Sequence, residues 1–246
     1  MDNLKNISLK QYLEVNGVNF SESDNAIKKI NIDEELIIKQ FNLINKLHEL
    51  FNNYKGYDVK NIDNKTGKLV EKYKMEIRLG KRYIKSIGID NSSDDFNNMI
   101  LSCLERSEKC VFQASKNYVE LIRRSMKNRE ICLHDCYFDN LYENKKIVVK
   151  NIKSICFDMV EIDGINFILK IKESKSKLDL DKLIHEYVRI ENLNSCSEEF
   201  MRAIVSYPSQ AMKWVRRFIK EGEKFPKEYY VKKIEKAAKK DGKSII

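Results

Sequence analysis

Two polar residues five positions apart, Asp135 and Asn140, lie in a short segment between apolar stretches of this 246-residue chain. This spacing, in a loop before a pair of strands, suits phosphoryl transfer: the carboxylate accepts a hydroxyl proton, and the asparagine side chain holds Mg²⁺. We therefore take Asp135 as the candidate catalytic base and Asn140 as a candidate metal ligand. The alternative is that both residues cap turns and hold the loop in place.

A second metal-binding aspartate is expected at the end of the strand pair that follows such a loop. The sequence has Cys156 at that position and Asp158 two residues later. Mg²⁺ is a hard ion that selects oxygen ligands at near-ideal geometry, which a thiol does not supply. Side chains two apart on a strand share a face but lie about 6–7 Å apart. Asp158 is therefore only a weak candidate metal ligand.

At this point the chain resembles the CotS-type spore coat proteins, relatives of aminoglycoside phosphotransferases and choline kinases. The loop motif of that family is similar to residues 133–135 with Asn140, and its metal-binding strand is similar to residues 155–158. Its late helix pair, with an aromatic-proline step, is similar to residues 197–218. The departures are Leu133 and His134 in place of the usual His-Gly, and Cys156 in place of the principal metal-binding aspartate.

The resemblance implies a kinase-like C-terminal lobe over residues 31–246, preceded by a short polar segment, residues 1–30. A full N-terminal lobe is not expected, because the sequence has no glycine-rich phosphate loop and no strand lysine of the kinase type. The function implied is a structural or assembly protein of the spore coat without phosphotransferase activity and without a cofactor. Its partners would be other spore coat proteins, with synthesis in the mother-cell cytoplasm before deposition in the coat.

The composition and periodicity favour a mainly α fold with a small β insert. Glycine (8) and proline (2) are scarce, which favours long helices over a turn-rich β fold. Short β-branched runs at 147–149 and 152–157 predict strands, with helical periodicity before and after them. Alternating apolar residues around Asn16-Gly17 predict a small hairpin in the N-terminal segment.

Two other functions stay open. An ATP-dependent phosphotransferase acting on a small hydroxylated molecule would use Mg-ATP, with Asp135 as the base and Asn140 and Asp158 on the metal. A basic helical nucleic-acid-binding protein is indicated by residues 207–246, which contain twelve Lys/Arg against five Asp/Glu. We rank nucleic acid lowest among the partners, because no aromatic stacking platform or groove-reading motif accompanies these lysines.

The remaining signals concern cysteines and membranes. Cys132 and Cys136, with His134 between them, resemble half of a zinc site, but no second pair completes four ligands, so we expect no zinc there. The six cysteines are not expected to form a disulfide framework in a chain of this length. No apolar run reaches the roughly 18 residues of a membrane span, and the N-terminus has no secretory signal pattern, so we expect no membrane association.

Overall fold

The computed structural model describes residues 7–20, 32–87, 95–174 and 178–246, and within these ranges the protein is mainly helical. The helices are α1 (Leu9–Val15), α2 (Glu34–Asn53), α3 (Lys68–Ile87), α4 (Asp95–Ser115), α5 (Tyr118–Asn128), α6 (Glu161–Glu173), α7 (Leu180–Ile190), α8 (Ser195–Ser206), α9 (Ser209–Glu221) and α10 (Lys227–Asp241). The strands are β1 (Val18–Phe20), β2 (Asp63–Asn64), β3 (Ile131–Cys132), β4 (Leu141–Asn144), β5 (Lys146–Val149) and β6 (Cys156–Phe157). The expected fold class, mainly α with a small β content, is confirmed.

The chain forms two compact units, and each is built from two separate segments. Unit 1 contains residues 1–66 and 119–198, and unit 2 contains residues 67–118 and 199–246. All of the strands named above belong to unit 1, together with the loop between β3 and β4 that carries the candidate site residues. Among the described residues, no helix is both long and apolar enough to cross a bilayer.

Two three-stranded sheets frame the candidate loop in unit 1. In one sheet the strand order is β1-β5-β4, with β1 parallel to β5 and β4 antiparallel to it. In the other the order is β2-β6-β3, with Cys156 of β6 directly opposite Cys132 of β3. The predicted strand at 147–149 is present, whereas within 152–157 only Cys156–Phe157 is a strand. Strand β3 precedes the 133–140 loop and β4 follows it, so the two ends of the loop are attached to different sheets.

The hairpin predicted around Asn16-Gly17 is wrong, because a helix precedes this dipeptide. Leu9, Tyr12 and Leu13 are buried at helical spacing, and Ser8 forms a reciprocal capping box with Gln11. Gly17 has a φ of 87°, the left-handed conformation that commonly ends a helix. The dipeptide therefore terminates α1, and β1 pairs with β5 instead of folding back on 13–15. Residues 1–6 and 21–30 of the predicted N-terminal segment lie outside the described residues.

Helix α6 was not predicted, because it lacks an amphipathic pattern. Ile162, Ile165, Phe167, Ile168 and Ile171 are all nearly fully buried, so apolar side chains cover most of the helix circumference. Because most of its circumference is buried, α6 shows only a weak 3.6-residue alternation of apolar and polar positions. This helix is central to the site, because its first turn supplies a buried carboxylate to the candidate loop.

Unit 2 is a helical assembly whose core contains several packed aromatic rings. Tyr73 of α3 stacks on Tyr207, with ring centroids 3.7 Å apart, and Phe218 of α9 packs edge-to-face on Phe96 of α4 at 4.8 Å. The Asp241 carboxylate at the end of α10 accepts hydrogen bonds from the first N–H groups of α9. Packing of α10 on α9 thus brings the last segment of the chain into the unit 2 core.

Candidate functional site

The 133–140 loop is anchored at its start by the carboxylate of Asp163 on α6. The backbone N–H groups of Leu133 and His134 donate to the two oxygens of Asp163, at 2.8 and 2.7 Å. His134 has a φ of 65°, a left-handed conformation that costs a non-glycine residue roughly 1–2 kcal/mol. Its carbonyl oxygen accepts a hydrogen bond from Asn166 Nδ2 at 3.1 Å. Contacts from α6 therefore hold the backbone of His134 on both sides.

His48 of α2 completes this anchor as a buried cation between two carboxylates. Its Nε2 lies 3.0 Å from Asp163 Oδ2, and its Nδ1 lies 2.9 Å from Glu191 Oε1. Burial disfavours the charged imidazole, but Glu191 and Asp163 outweigh this effect and raise the pKa of His48 to about 10. Burial likewise opposes ionisation of Asp163, yet His48 and the backbone N–H of Leu133 hold its pKa below the ordinary value. The anchor is therefore a charged cluster near neutral pH.

Asn140, the candidate metal ligand, uses its whole side-chain amide to close the end of the loop. Its Nδ2 donates to the carbonyl oxygens of Asp135, at 2.7 Å, and Asn151, at 3.2 Å. Its Oδ1 accepts from the backbone N–H of Asn151 at 2.7 Å. The side chain is buried, and Gln40 of α2 ties the same region from the other side by donating to two backbone carbonyls. The Asn140 side chain therefore links the backbone at Asp135 to the backbone at Asn151.

Asp135, the candidate base, lies on the surface of the loop and pairs with Lys170 of α6. The Lys170 Nζ to Asp135 Oδ1 distance is 2.7 Å, and both side chains are more than two-fifths exposed. The same ammonium group lies 5.2 Å from the centroid of the Tyr137 ring. An exposed ion pair of this kind contributes at most about 1 kcal/mol, so water and solutes can still reach the carboxylate.

Asp158, the weak metal candidate, is buried and faces His134 rather than Asp135 or Asn140. Its Oδ2 lies 3.1 Å from His134 Nε2, and its Oδ1 accepts from the backbone N–H of Met159 at 2.9 Å. Cys156 lies beside this pair, and its ligand atom is within 4.8 Å of one from each residue. Burial and the neighbouring Asp158 raise the pKa of Cys156 to about 12, so the thiol is protonated at neutral pH.

The cysteine–histidine motif at 132–136 does not come together as a unit. Cys132 Sγ donates to the carbonyl oxygens of Asp158 and Met159, and it lies in a group with His48 and Asp163. His134 lies instead in the group with Cys156 and Asp158. Burial raises the pKa of both Cys132 and Cys136 well above the ordinary thiol value. The two cysteines thus both lie near Asp163, whereas the His134 ring belongs to a different group.

The residues that hold the site together were largely missed by sequence reasoning. His48 lies on an amphipathic stretch, where a lone histidine is usually structural, and nothing in the local pattern connects it to Asp163, which is 115 positions away. One signal was available for Asp163: it is an acidic residue in a mostly apolar stretch, 162–171, where a charge is rarely buried without a partner. Glu191 and Lys170 carry no comparable signal.

Comparison with known proteins adds no family assignment, since no protein-family model and no curated protein matches the chain. The resemblance inferred from the motifs therefore stays a prediction, and so do the kinase-like identity of the fold and the roles of Asp135, Asn140 and Asp158. The geometry of unit 1 shows a rigidly held loop with one exposed carboxylate, one fully hydrogen-bonded asparagine, and a buried His-Cys-Asp group.

Proposed function

We propose that this protein is a non-catalytic assembly protein of the bacterial spore coat, built on a degenerate kinase-like lobe. The observation that carries the proposal is the position of Asn140, whose amide nitrogen and oxygen are both bonded to backbone groups of the loop. An asparagine that coordinates Mg²⁺ offers its oxygen to the ion, and here that oxygen is directed at the N–H of Asn151 and the side chain is buried. The residue therefore acts as a structural brace.

The environment of Cys156 supports the same conclusion. In a phosphotransferase the carboxylate at this position helps neutralise the charge on the transferred phosphoryl group through Mg²⁺. A thiol is a soft ligand and a poor partner for a hard ion that selects oxygen. Asp158, the nearest carboxylate in sequence, directs Oδ2 toward His134 and Oδ1 toward its neighbouring backbone N–H. The one carboxylate near this position thus lies beside a thiol and an imidazole, ligands that Mg²⁺ does not favour.

A loop held this firmly without a catalytic task is suited to presenting a fixed surface. The buried cluster of His48, Asp163 and Glu191 anchors one end, and Asn140 braces the other. The placement in the spore coat, with other coat proteins as partners, is supported by the motif resemblance at 133–140 and 155–158.

The activity part of the proposal is tested by calorimetric titration of the full chain with Mg-ATP. We expect no detectable binding and no ATP turnover with hydroxylated small molecules. A micromolar dissociation constant, or ATP turnover that disappears in the Asp135→Ala variant, would contradict the proposal and favour the phosphotransferase alternative. Turnover that is unchanged in Asp135→Ala would indicate a contaminating activity rather than this site.

The localisation part is tested by expressing a fluorescent fusion of the full chain in an endospore-forming host. We expect the signal to appear in the mother cell and then to form a shell around the developing spore. Fluorescence that stays evenly distributed in the mother cell throughout sporulation would contradict the coat assignment.

A further inference from the structure

Three side chains of unit 1 bring a nitrogen, a sulfur and an oxygen atom to one place. One ligand atom each from His134, Cys156 and Asp158 lie within 4.8 Å of one another. Cys156 and Asp158 are buried, whereas the side chain of His134 is 20% exposed and connects the group to solvent.

The spacing of the group is close to that of ligands on a tetrahedral zinc ion. With Zn–N and Zn–O bonds of about 2.0–2.2 Å, two such ligands lie roughly 3.4 Å apart. The observed distance between His134 Nε2 and Asp158 Oδ2 is 3.1 Å. A zinc-bound sulfur would lie about 3.6 Å from either atom, so the thiol has to approach by roughly 1.2 Å at most.

The backbone under two of the ligands, Cys156 and His134, is held in place. Cys156 lies in the central strand of its sheet, paired with Asp63 of β2 on one side and Cys132 of β3 on the other. The N–H of His134 is bonded to Asp163 and its carbonyl to Asn166. Metal sites depend on such preorganisation, because loosely held ligands lose affinity.

A second group of potential ligands, His48, Cys132 and Asp163, is already saturated by protein contacts. Asp163 accepts two backbone N–H groups as well as His48, and the other ring nitrogen of His48 faces Glu191. A metal ion would have to break these buried bonds, at a cost of about 1–3 kcal/mol for each unsatisfied group. In the group of His134, Cys156 and Asp158, by contrast, an ion would replace only the contact between His134 and Asp158, and both of these residues would then bind the ion.

We propose that His134, Cys156 and Asp158 form a Zn²⁺ site with a fourth position open to solvent. Zinc accepts mixed nitrogen, sulfur and oxygen ligands, and sites with three protein ligands leave one position for water. The thiol releases its proton to the buffer on binding, so that one thiolate and one carboxylate balance the charge of the ion. Cys156 supplies the sulfur ligand, and it is the same residue whose thiol makes the position unsuitable for Mg²⁺. The proposal does not depend on the spore coat function.

The test is calorimetric titration of the full chain, stripped of metal by a chelator, with Zn²⁺. We expect one equivalent to bind, and the Cys156→Ser and His134→Asn variants to lose affinity at least about a hundredfold. Asparagine is chosen at position 134 because it tolerates the left-handed backbone. Matched controls are Cys196→Ser, at a half-buried cysteine, and His185→Asn, at an exposed histidine, which we expect to bind as the wild type does.

Co²⁺ supplies a second readout that reports on the sulfur directly. We expect the cobalt-loaded wild type to show thiolate-to-cobalt charge-transfer absorption, and Cys156→Ser to lack it. Circular dichroism establishes that the variants are folded; should Cys156→Ser fail to fold, Asp158→Asn replaces it, with an expected loss of at least about tenfold. The proposal is overturned if the wild type binds no zinc, if the variants bind as tightly as their controls, or if the cobalt spectrum lacks the thiolate band.

Discussion

Aspartates of this protein have different roles, and the groups that each one contacts decide which role it has. Asp135, Asp158 and Asp163 lie within a span of 29 positions, yet the first pairs with an exposed lysine, the second with His134 and the third with a buried histidine and two backbone N–H groups. Asp163 is the most deeply buried of the three, and both of its oxygens accept hydrogen bonds.

Replacing Asn140 with aspartate distinguishes a structural role of this residue from a role in metal binding. Aspartate is the better Mg²⁺ ligand, but here its carboxylate would face the carbonyl oxygens of Asp135 and Asn151. We expect Asn140→Asp to lower the free energy of unfolding by about 2–3 kcal/mol, in urea denaturation at pH 7. Asn42→Asp, on the exposed face of α2, is the control and should change it by less than about 0.5 kcal/mol. Equal stability of Asn140→Asp and the wild type would contradict the brace.

The charge of His48 makes stability depend on pH in a definite direction. Its pKa is about 10 in the folded protein against an ordinary value of 6.5, so its stabilising contribution is complete below pH 6.5 and is lost as the pH rises toward 10. We expect His48→Gln to be less stable than the wild type by about 3–5 kcal/mol near pH 6. By urea denaturation at a series of pH values, this difference should shrink steadily up to pH 10.

The control for this pH series is His185→Gln, at a histidine whose side chain is 63% exposed. We expect its stability to follow that of the wild type throughout. A difference between wild type and His48→Gln that stays constant from pH 6 to pH 10 would show that the His48 imidazole is neutral in the folded protein.

At the scale of secondary-structure elements, α6 is the element on which the loop depends. It supplies Asp163, Asn166 and Lys170, each of which contacts the 133–140 loop. Its packing on α7 is close, because Gly164 lies against the ring of Tyr187. The hydroxyl of Tyr187 donates to the carbonyl of Val160 at 2.7 Å, which fixes the ring in position.

Gly164→Ala should therefore be destabilising, although alanine is the better helix former by about 1 kcal/mol. An added Cβ would lie 2.5 Å from Tyr187 Cε1, inside any normal contact distance. We expect a loss of about 1–3 kcal/mol in the free energy of unfolding. In a Tyr187→Leu background the same substitution should cost less, since the ring is gone. A stabilising effect of Gly164→Ala in the wild type would mean that the two helices do not approach this closely.

At the scale of the whole molecule, each unit is assembled from segments that are distant in the chain. In unit 2, Glu76 of α3 accepts a hydrogen bond from the Tyr207 hydroxyl at 3.1 Å and pairs with Arg216 of α9 at 3.0 Å. These partners are 131 and 140 positions away in sequence. A single largely buried carboxylate thus ties the two segments of unit 2 together.

The Glu76→Ala variant tests whether the contacts of Glu76 with Tyr207 and Arg216 stabilise the protein. We expect a loss of about 2–3 kcal/mol in urea denaturation, because the tyrosine hydroxyl and the guanidinium group both lose a charged partner. Glu71→Ala, at an exposed position on the same helix, is the matched control and should change stability by less than about 0.5 kcal/mol. If both variants lose the same small amount, the contacts of Glu76 contribute nothing beyond those of a surface carboxylate.

The sequence by itself determined the helical class of the protein, the strand at 147–149 and the position of the 133–140 loop beside the strands, because periodicity and β-branched runs are local properties. Tertiary structure decided whether Asn16-Gly17 turns a hairpin or ends a helix, since both outcomes use the same left-handed glycine. It also decided that Asp163 meets His48 and that His134 meets Cys156 and Asp158. Those pairings join residues up to 115 positions apart, and burial of charge, which only the folded core imposes, selects them.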